Sequence, residues 1–383
     1  MRILHVHTRY RQPGGEDVVV AAERRLLSVA GHEVIPLDFE NPPGSAEATS
    51  ALARAPWNKS AAMKVVSAVR DESPDVVHVH NTWFALSPAV FPRVSSLGTP
   101  VVATFHNYRI VCVNAMLLRD GNLCEVCVGR GPWSGVKFAC YRGSRPASVA
   151  AAATIAVHRR RGTWTSDLAK AIALTEFARS RLEAGGIPAE RIAIVPNFAS
   201  DPGPRTRSAS DSDEVLFVGR LSNEKGIRVL LDAWSQLADP HLRLTVVGSG
   251  PLLEEVKAKA SGSIKVVGWL EPADVLQHML SARALVVPSL WYEVQPLVVL
   301  EALACGLPVL YSNLGALGEI VGDGGSPFSA GSPSHLVTRL SEMLDGAEVK
   351  RMSDGGRGQF LSRFDTQRAL ASRIALYQEV VRA

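Results

Sequence analysis

The chain has 383 residues, enough for two domains with cores of their own, and its hydrophobic share of 46% is ordinary for a water-soluble protein. No run approaches the roughly 18 uninterrupted apolar residues of a membrane-spanning helix, which argues against a transmembrane class. The net charge of +4 is uneven: residues 1–200 carry 23 Lys and Arg against 16 Asp and Glu, and the remainder 18 against 21. A basic first half suits an anionic acceptor or peripheral contact with an anionic membrane surface, or is solvated decoration. Nothing points to nucleic acid. The start, Met1 to His7, reads as a first strand rather than a signal peptide, because its apolar part is too short and lacks a cleavage site. That reading places the protein in the cytoplasm, with the inner face of the membrane as an alternative.

Arg2 to Val6 is a short apolar strand, Gly14-Gly15 a loop, Val18 to Ala30 a helix and His32 to Leu37 the next strand. This order starts a Rossmann-like domain, although a Gly pair alone is as readily a plain turn as a binding loop. Residues 41–57 read as a loop with a short helix at most, and Ala61 to Val69 as helical. Asp75 to Asn81 is a buried strand with polar residues at its carboxyl end, where open α/β sheets place ligands. Pro100 to Asn107 repeats that plan and puts His106 at such an end; a lone His is also commonly structural.

Cys112, Cys124, Cys127 and Cys140 follow, with a C-x2-C pair at the centre. Four thiolates can hold a structural Zn²⁺, although this is not a standard zinc spacing, and free structural thiols are the plain alternative. A metal would staple the insertion between Tyr108 and Ser144, which has few helix or strand signals. Arg142, Arg145, Arg159, Arg160 and Arg161 band an apolar helix from Ala147 to Val157, either a membrane or acceptor face or a solvated helix end. Ala171 to Thr175 is a strand, Glu176 to Leu182 starts a helix, and Arg191 to Asn197 leaves the first domain.

Residues 200–213 are rich in Pro, Ser, Arg and Asp and read as a linker. Glu214 to Arg220 then opens a second domain with a strand and a Gly turn, and Leu221 to Gly226 leads into the helix Ile227 to Leu237. Arg220 and Lys225 stand where a loop meets a helix start, suited to a pyrophosphate. Leu242 to Pro251 and Lys265 to Leu270 are further strands. Ala284 to Pro288 is a buried strand, Pro296 suits the first helical position, Leu297 to Cys305 is a helix ended by Gly306, and Pro308 to Tyr311 is the next strand: a parallel βαβ unit. The free N–H groups of Leu297 and Val298, with the positive end of the helix dipole, make a seat for a phosphate. Glu293 on the loop and Glu301 on the helix bracket it. The arrangement suggests a nucleotide sugar, with ribose at one acid and hexose near the other; solvated surface acids are the plain alternative. Ser334 to Leu344 and Asp365 to Val381 close the chain as helices.

Pro288-Ser289, Glu293 and the run Glu301 to Val309 (EALACGLPV) resemble the Glu-x7-Glu signature of family 4 retaining glycosyltransferases with the GT-B fold. Val294-Gln295 stands where the family usually has Phe-Gly. Gly219-Arg220 and Lys225-Gly226 match a second family motif with a gap one residue shorter, and Gly248-Ser249-Gly250-Pro251 a third. The resemblance implies an α/β fold of two Rossmann-like domains facing each other across a cleft. Residues 1–199 would be the acceptor-side domain and 214–364 the nucleotide-sugar donor domain, with helix 365–383 returning to the first. It implies hexosyl transfer, with retention and without a metal ion, from a nucleoside diphosphate sugar to a glycan, lipid-linked or small-molecule acceptor, as in polysaccharide biosynthesis. It also implies roles. Gly15 would lie over the donor phosphate and His106 near the donor sugar. Arg220 and Lys225 would meet the leaving diphosphate, Leu270 the nucleobase, Leu297 and Val298 the phosphate, Glu301 the ribose and Glu293 the hexose. His106, Arg220, Lys225 and Glu293 would be the catalytic set, with no cofactor required. An epimerase or phosphorylase of the same fold, or a non-catalytic sugar-nucleotide binder, remains open at this point.

Overall fold

A computed structural model describes residues 1–10, 14–237, 241–260 and 262–382. The chain divides into two units, one of Met1–Arg119, Cys124–Pro196 and Leu370–Ala383, the other of Asp120–Leu123 and Asn197–Ala369. The last helix, Thr366–Arg382, therefore belongs to the first unit from Leu370 onward.

The first unit is built on a six-stranded parallel sheet in the order Glu33–Glu40, Arg2–Arg9, Val76–Asn81, Val101–Thr104, Lys170–Ala173, Ile192–Ile194. Parallel strands are covered on both faces, so they read as apolar runs; Val76–Asn81 is buried along its whole length, including His78, His80 and Asn81. Order reverses between Arg2–Arg9 and Val76–Asn81. Such a switch point opens a crevice at the carboxyl ends of the strands, and there the histidines cluster.

The second unit holds another six-stranded parallel sheet, ordered Ile264–Gly268, Arg243–Val247, Glu214–Val218, Ala284–Val287, Val309–Ser312, Gly325–Phe328. Its switch point lies between Glu214–Val218 and Ala284–Val287. The helix Ile227–Gln236 buries Ile227, Leu230, Leu231 and Trp234 against this sheet, each worth about 1.5–3 kcal/mol.

Two expectations change. The stretch 200–213 is packed onto the second unit rather than free: Ala209 is 1% exposed, and Arg205 donates to the carbonyls of Met279 and Ala282 at 2.9 and 2.6 Å. Composition cannot show this, because the anchors are side chain to backbone bonds. The helix expected between Ala147 and Val157 runs Arg145–Arg160, capped by Ser144, and turns Ala151, Ala152 and Ile155 onto Trp83, Phe84 and Tyr141. Its apolar side is spent inside the unit, which leaves no continuous apolar face for a membrane. Among the described residues no helix is long and apolar enough to cross one.

Candidate functional site

At the switch point of the second unit, Glu214–Val218 runs into Gly219 and Arg220, and Ala284–Val287 into Pro288 and Ser289. Two close approaches bring these ends together. Gly226 has φ +70°, and a Cβ there would stand 1.8 Å from the Pro288 carbonyl oxygen; the Leu290 N–H reaches the Glu224 carbonyl at 2.8 Å. The 3-10 turn Asn223–Lys225 is thereby pressed onto the loop that carries Glu293. Gly226→Ala is expected to separate the two loops and to weaken nucleotide binding at least about tenfold, read by calorimetry; unchanged affinity would show that the contact is not needed.

Glu293 is 4% exposed. One of its oxygens accepts from Lys225 Nζ at 2.7 Å, Ser289 Oγ at 2.7 Å and Trp291 Nε1 at 2.9 Å. The ammonium also lies 5.3 Å from the centre of the Trp291 ring. Three donors on one buried carboxylate oxygen fix both Glu293 and Lys225. Lys225, Glu293, Pro296 and Val298 line one small cavity. Pro296 precedes the helix Leu297–Ala304 as its cap rather than its first residue. The first backbone bond at this end is Val299 N–H to the Pro296 carbonyl, 3.1 Å. The Val294-Gln295 pair has a local explanation: Val294 is buried, and Gln295 Oε1 accepts the Asn197 N–H at 2.6 Å.

The remaining donor-side residues stand apart from that cavity. Arg220 is exposed, and Leu270, Leu297 and Glu301 are half-buried. Among the described residues Arg220 has no ion pair. The Glu301 carboxyl has no hydrogen-bond partner among them either, and burial pushes it above the usual carboxylate range. Gly15 opens the helix Gly15–Val29, exposed and with nothing within 4 Å of a Cβ, so no steric need for glycine shows there.

In the first unit, His106 lines a cavity of about 70 Å³ with Trp83, Phe91, Phe105, Arg109 and Trp164. Behind it lies a buried network that the sequence does not announce. His106 Nε2 meets His80 Nδ1 at 3.1 Å, and His80 Nε2 meets His5 Nε2 at 3.3 Å. Glu23 lies 3.3 Å from His5, 3.1 Å from His78 and 3.6 Å from His80, and Arg373 of the last helix reaches it at 2.6 Å. Burial alone would push the Glu23 carboxyl up; the Arg373 guanidinium and the His5 and His78 hydrogen bonds hold it well below its ordinary range. Burial also keeps His5, His80 and His106 neutral, pushing His5 down to about 4 and His106 to about 3. Signals for this network do exist in the sequence. Glu23 sits on the stripe Val19, Glu23, Leu27, and Arg373 on the stripe Ala369, Arg373, Tyr377, Val380; a charge on a buried helical stripe needs a partner.

These shifts predict acid sensitivity. With folded values below the ordinary 6.5, the unfolded chain takes up protons first, so stability is complete above about pH 6.5 and is lost as pH falls toward 4. Urea unfolding across that range checks it; flat stability would mean that the rings protonate in the folded state.

Residues 13–200 match the family described as Glycosyltransferase Family 4, and residues 212–346 the one described as Glycosyl transferases group 1. Over 184 residues, 45% of this chain, it is 33% identical to a glycogen synthase of Mycobacterium tuberculosis. Over 94% of this chain it is 24% identical to the sulfoquinovosyl transferase of Arabidopsis thaliana. These matches span 43% and 66% of the relatives' own lengths. Among solved structures, Anabaena HepE in complex with UDP shares the fold with a TM-score of 0.72 at 16% identity, over 99% of this chain and 100% of that one.

Proposed function

Because the chain belongs to the group 1, family 4 glycosyltransferases and has their GT-B fold, we propose that it moves a hexose from a nucleoside diphosphate sugar to a glycan, lipid-linked or small-molecule acceptor. Transfer goes with retention and needs no metal ion. The observation that carries this reading is the fixed Lys225–Glu293 pair at the switch point of the second unit, beside the start of the helix Leu297–Ala304.

As the bond between the anomeric carbon and the diphosphate oxygen breaks, negative charge grows on the leaving group. The Lys225 ammonium, the Arg220 guanidinium and the Leu297 and Val298 N–H groups supply fixed positive charge and dipoles for it. The sugar passes through an oxocarbenium-like state, and the acceptor hydroxyl attacks the face that the diphosphate leaves. The acceptor's proton goes to the departing diphosphate oxygen, so no covalent sugar–protein intermediate is required. Glu293 orients Lys225 and accepts from the hexose, while Glu301, whose carboxyl has no partner among the described residues, takes the ribose hydroxyls. Neutral His106 is suited to hydrogen-bond a sugar hydroxyl.

Isothermal calorimetry with UDP and GDP in excess EDTA tests the core of this. Binding is expected to persist without metal and to weaken at least about tenfold in Arg220→Ala. Binding that vanishes on chelation would overturn metal-free recognition. A donor screen by thermal shift then identifies the sugar without needing the acceptor.

A further inference from the structure

Four of the chain's five cysteines fall within residues 112–140, spaced Cys112-x11-Cys124-x2-Cys127-x12-Cys140. All are free thiols, and all four line one cavity of about 20 Å³, room for about one water-sized sphere or ion. The surrounding backbone serves that cavity. Cys124 N–H bonds the Leu117 carbonyl at 2.8 Å, and the turn through Cys127 is closed by Val128 N–H to the Glu125 carbonyl at 2.9 Å. Cys140 N–H bonds the Gly135 carbonyl at 2.9 Å. The Gly135 N–H closes the preceding turn by donating to the Pro132 carbonyl at 3.0 Å. A Cβ on Gly135 would come within 2.5 Å of Val113, so only glycine lets this turn press onto the segment carrying Cys112.

The insertion is largely buried from Tyr108 to Leu117 and at Tyr141, but the stretch between packs little of itself. It has two two-residue strands and the five-residue helix Trp133–Lys137. Leu123, Val126, Trp133 and Phe138 are exposed rather than packed. Ala115, Leu117, Asp120, Ala139 and Arg142 hold left-handed backbone, at about 1–2 kcal/mol each. Strain of that kind persists where something over-determines the chain.

We propose that Cys112, Cys124, Cys127 and Cys140 together hold one structural Zn²⁺ that staples this insertion. On ligation each thiol releases its proton to solvent, and the four thiolates share the dication, which removes the repulsion among them. Among the described residues the group with ligand atoms all within 4.8 Å of one another is His5, Glu23, His78 and His80 and not the four thiols, so ligation requires the sulfurs to move inward. That group is not the metal site: both His78 nitrogens bond, to Tyr377 and Thr104, both His80 nitrogens meet His106 and His5, and Arg373 already neutralises Glu23. A closed four-thiolate site leaves no open position for substrate, so its role is structural and independent of the proposed transfer.

The test uses the full chain, purified under reductant without chelator. Elemental analysis is expected to find about one zinc per chain, released by a mercurial and captured by a colorimetric chelator. Cys124→Ser and Cys140→Ser should each lower the content at least about tenfold, whereas Cys305→Ala should retain it. Cobalt in place of zinc should show thiolate charge-transfer bands and tetrahedral d–d absorption. If the variants fail to fold, the zinc content of the unaltered chain still decides. Content below about a tenth of an ion per chain after zinc supplementation overturns the proposal, whether the four thiols then titrate free or are found as disulfides.

Discussion

The Glu293→Gln variant is expected to lose about 10–10² in kcat while its affinity for a bare nucleoside diphosphate changes by less than about threefold. The carboxylate gathers Lys225, Ser289 and Trp291 on one oxygen. An amide has a single acceptor oxygen, carries no charge, and turns an NH₂ group toward an ammonium, a hydroxyl or an indole N–H. The charge-assisted acceptor it loses is worth about 1.5–3 kcal/mol. That loss falls on turnover, because under the proposed roles Glu293 faces the sugar on which charge develops. Diphosphate affinity is buffered: freed from its carboxylate, Lys225 keeps its full charge for the phosphates, which offsets the orientation it loses. Glu301→Gln should behave in the opposite way. Its half-buried carboxyl has no partner among the described residues. Its replacement should weaken diphosphate binding about ten- to a hundred-fold and leave kcat at saturating donor nearly unchanged. Calorimetry and steady-state kinetics on both variants separate the effects. Equal losses of diphosphate affinity would show that the acids form one network, and the division of roles would fall.

The Lys225–Glu293 pair marks where sequence reading runs out. Each residue is visible on its own, Lys225 before a helix start and Glu293 before another, and motif resemblance assigns them to phosphate and to sugar. Their direct bond spans 68 positions and follows from sheet order, which places Glu214–Val218 beside Ala284–Val287. The strands themselves are legible because parallel strands buried on both faces are apolar runs punctuated by Gly and Pro. Helix ends are legible less closely, because fraying and cap geometry settle them: the helix expected over Val18 to Ala30 runs Gly15–Val29, starting where Asp17 accepts the Gly14 N–H at 2.9 Å. The histidine network is the least legible part. Its polar residues occupy positions that apolar periodicity assigns to core, and their compensation comes from a helix 350 residues away. Placing His106 at a strand end finds the mouth of that network, not its anchor.

Replacing that anchor, Arg373→Met is expected to destabilise the first unit by about 3–5 kcal/mol, the cost of leaving a buried charge unpaired. Arg373 is 2% exposed and Glu23 1%. The guanidinium reaches one Glu23 oxygen at 2.6 Å and the Pro196 carbonyl at 3.2 Å. The other Glu23 oxygen is left to His5, His78 and the Tyr377 hydroxyl, at 3.3, 3.1 and 3.4 Å. With a methionine in place, those dipoles cannot neutralise the carboxylate, and the cluster would take up a proton on Glu23 or on a neighbouring ring. The deficit should therefore be largest in alkaline solution and shrink as pH falls, opposite in sense to the acid sensitivity of the unaltered chain. Removing both charges in Glu23→Leu with Arg373→Met should recover more than about half of the loss, because a desolvated ion pair is costly to break from one side and much less costly to replace whole. Chemical denaturation of the unaltered chain, the single variant and the double variant, at two pH values, reads all three quantities. A single-variant loss below about 1 kcal/mol would place water or another cation beside Glu23, and the assignment of Arg373 as the anchor of the histidine network would have to be abandoned.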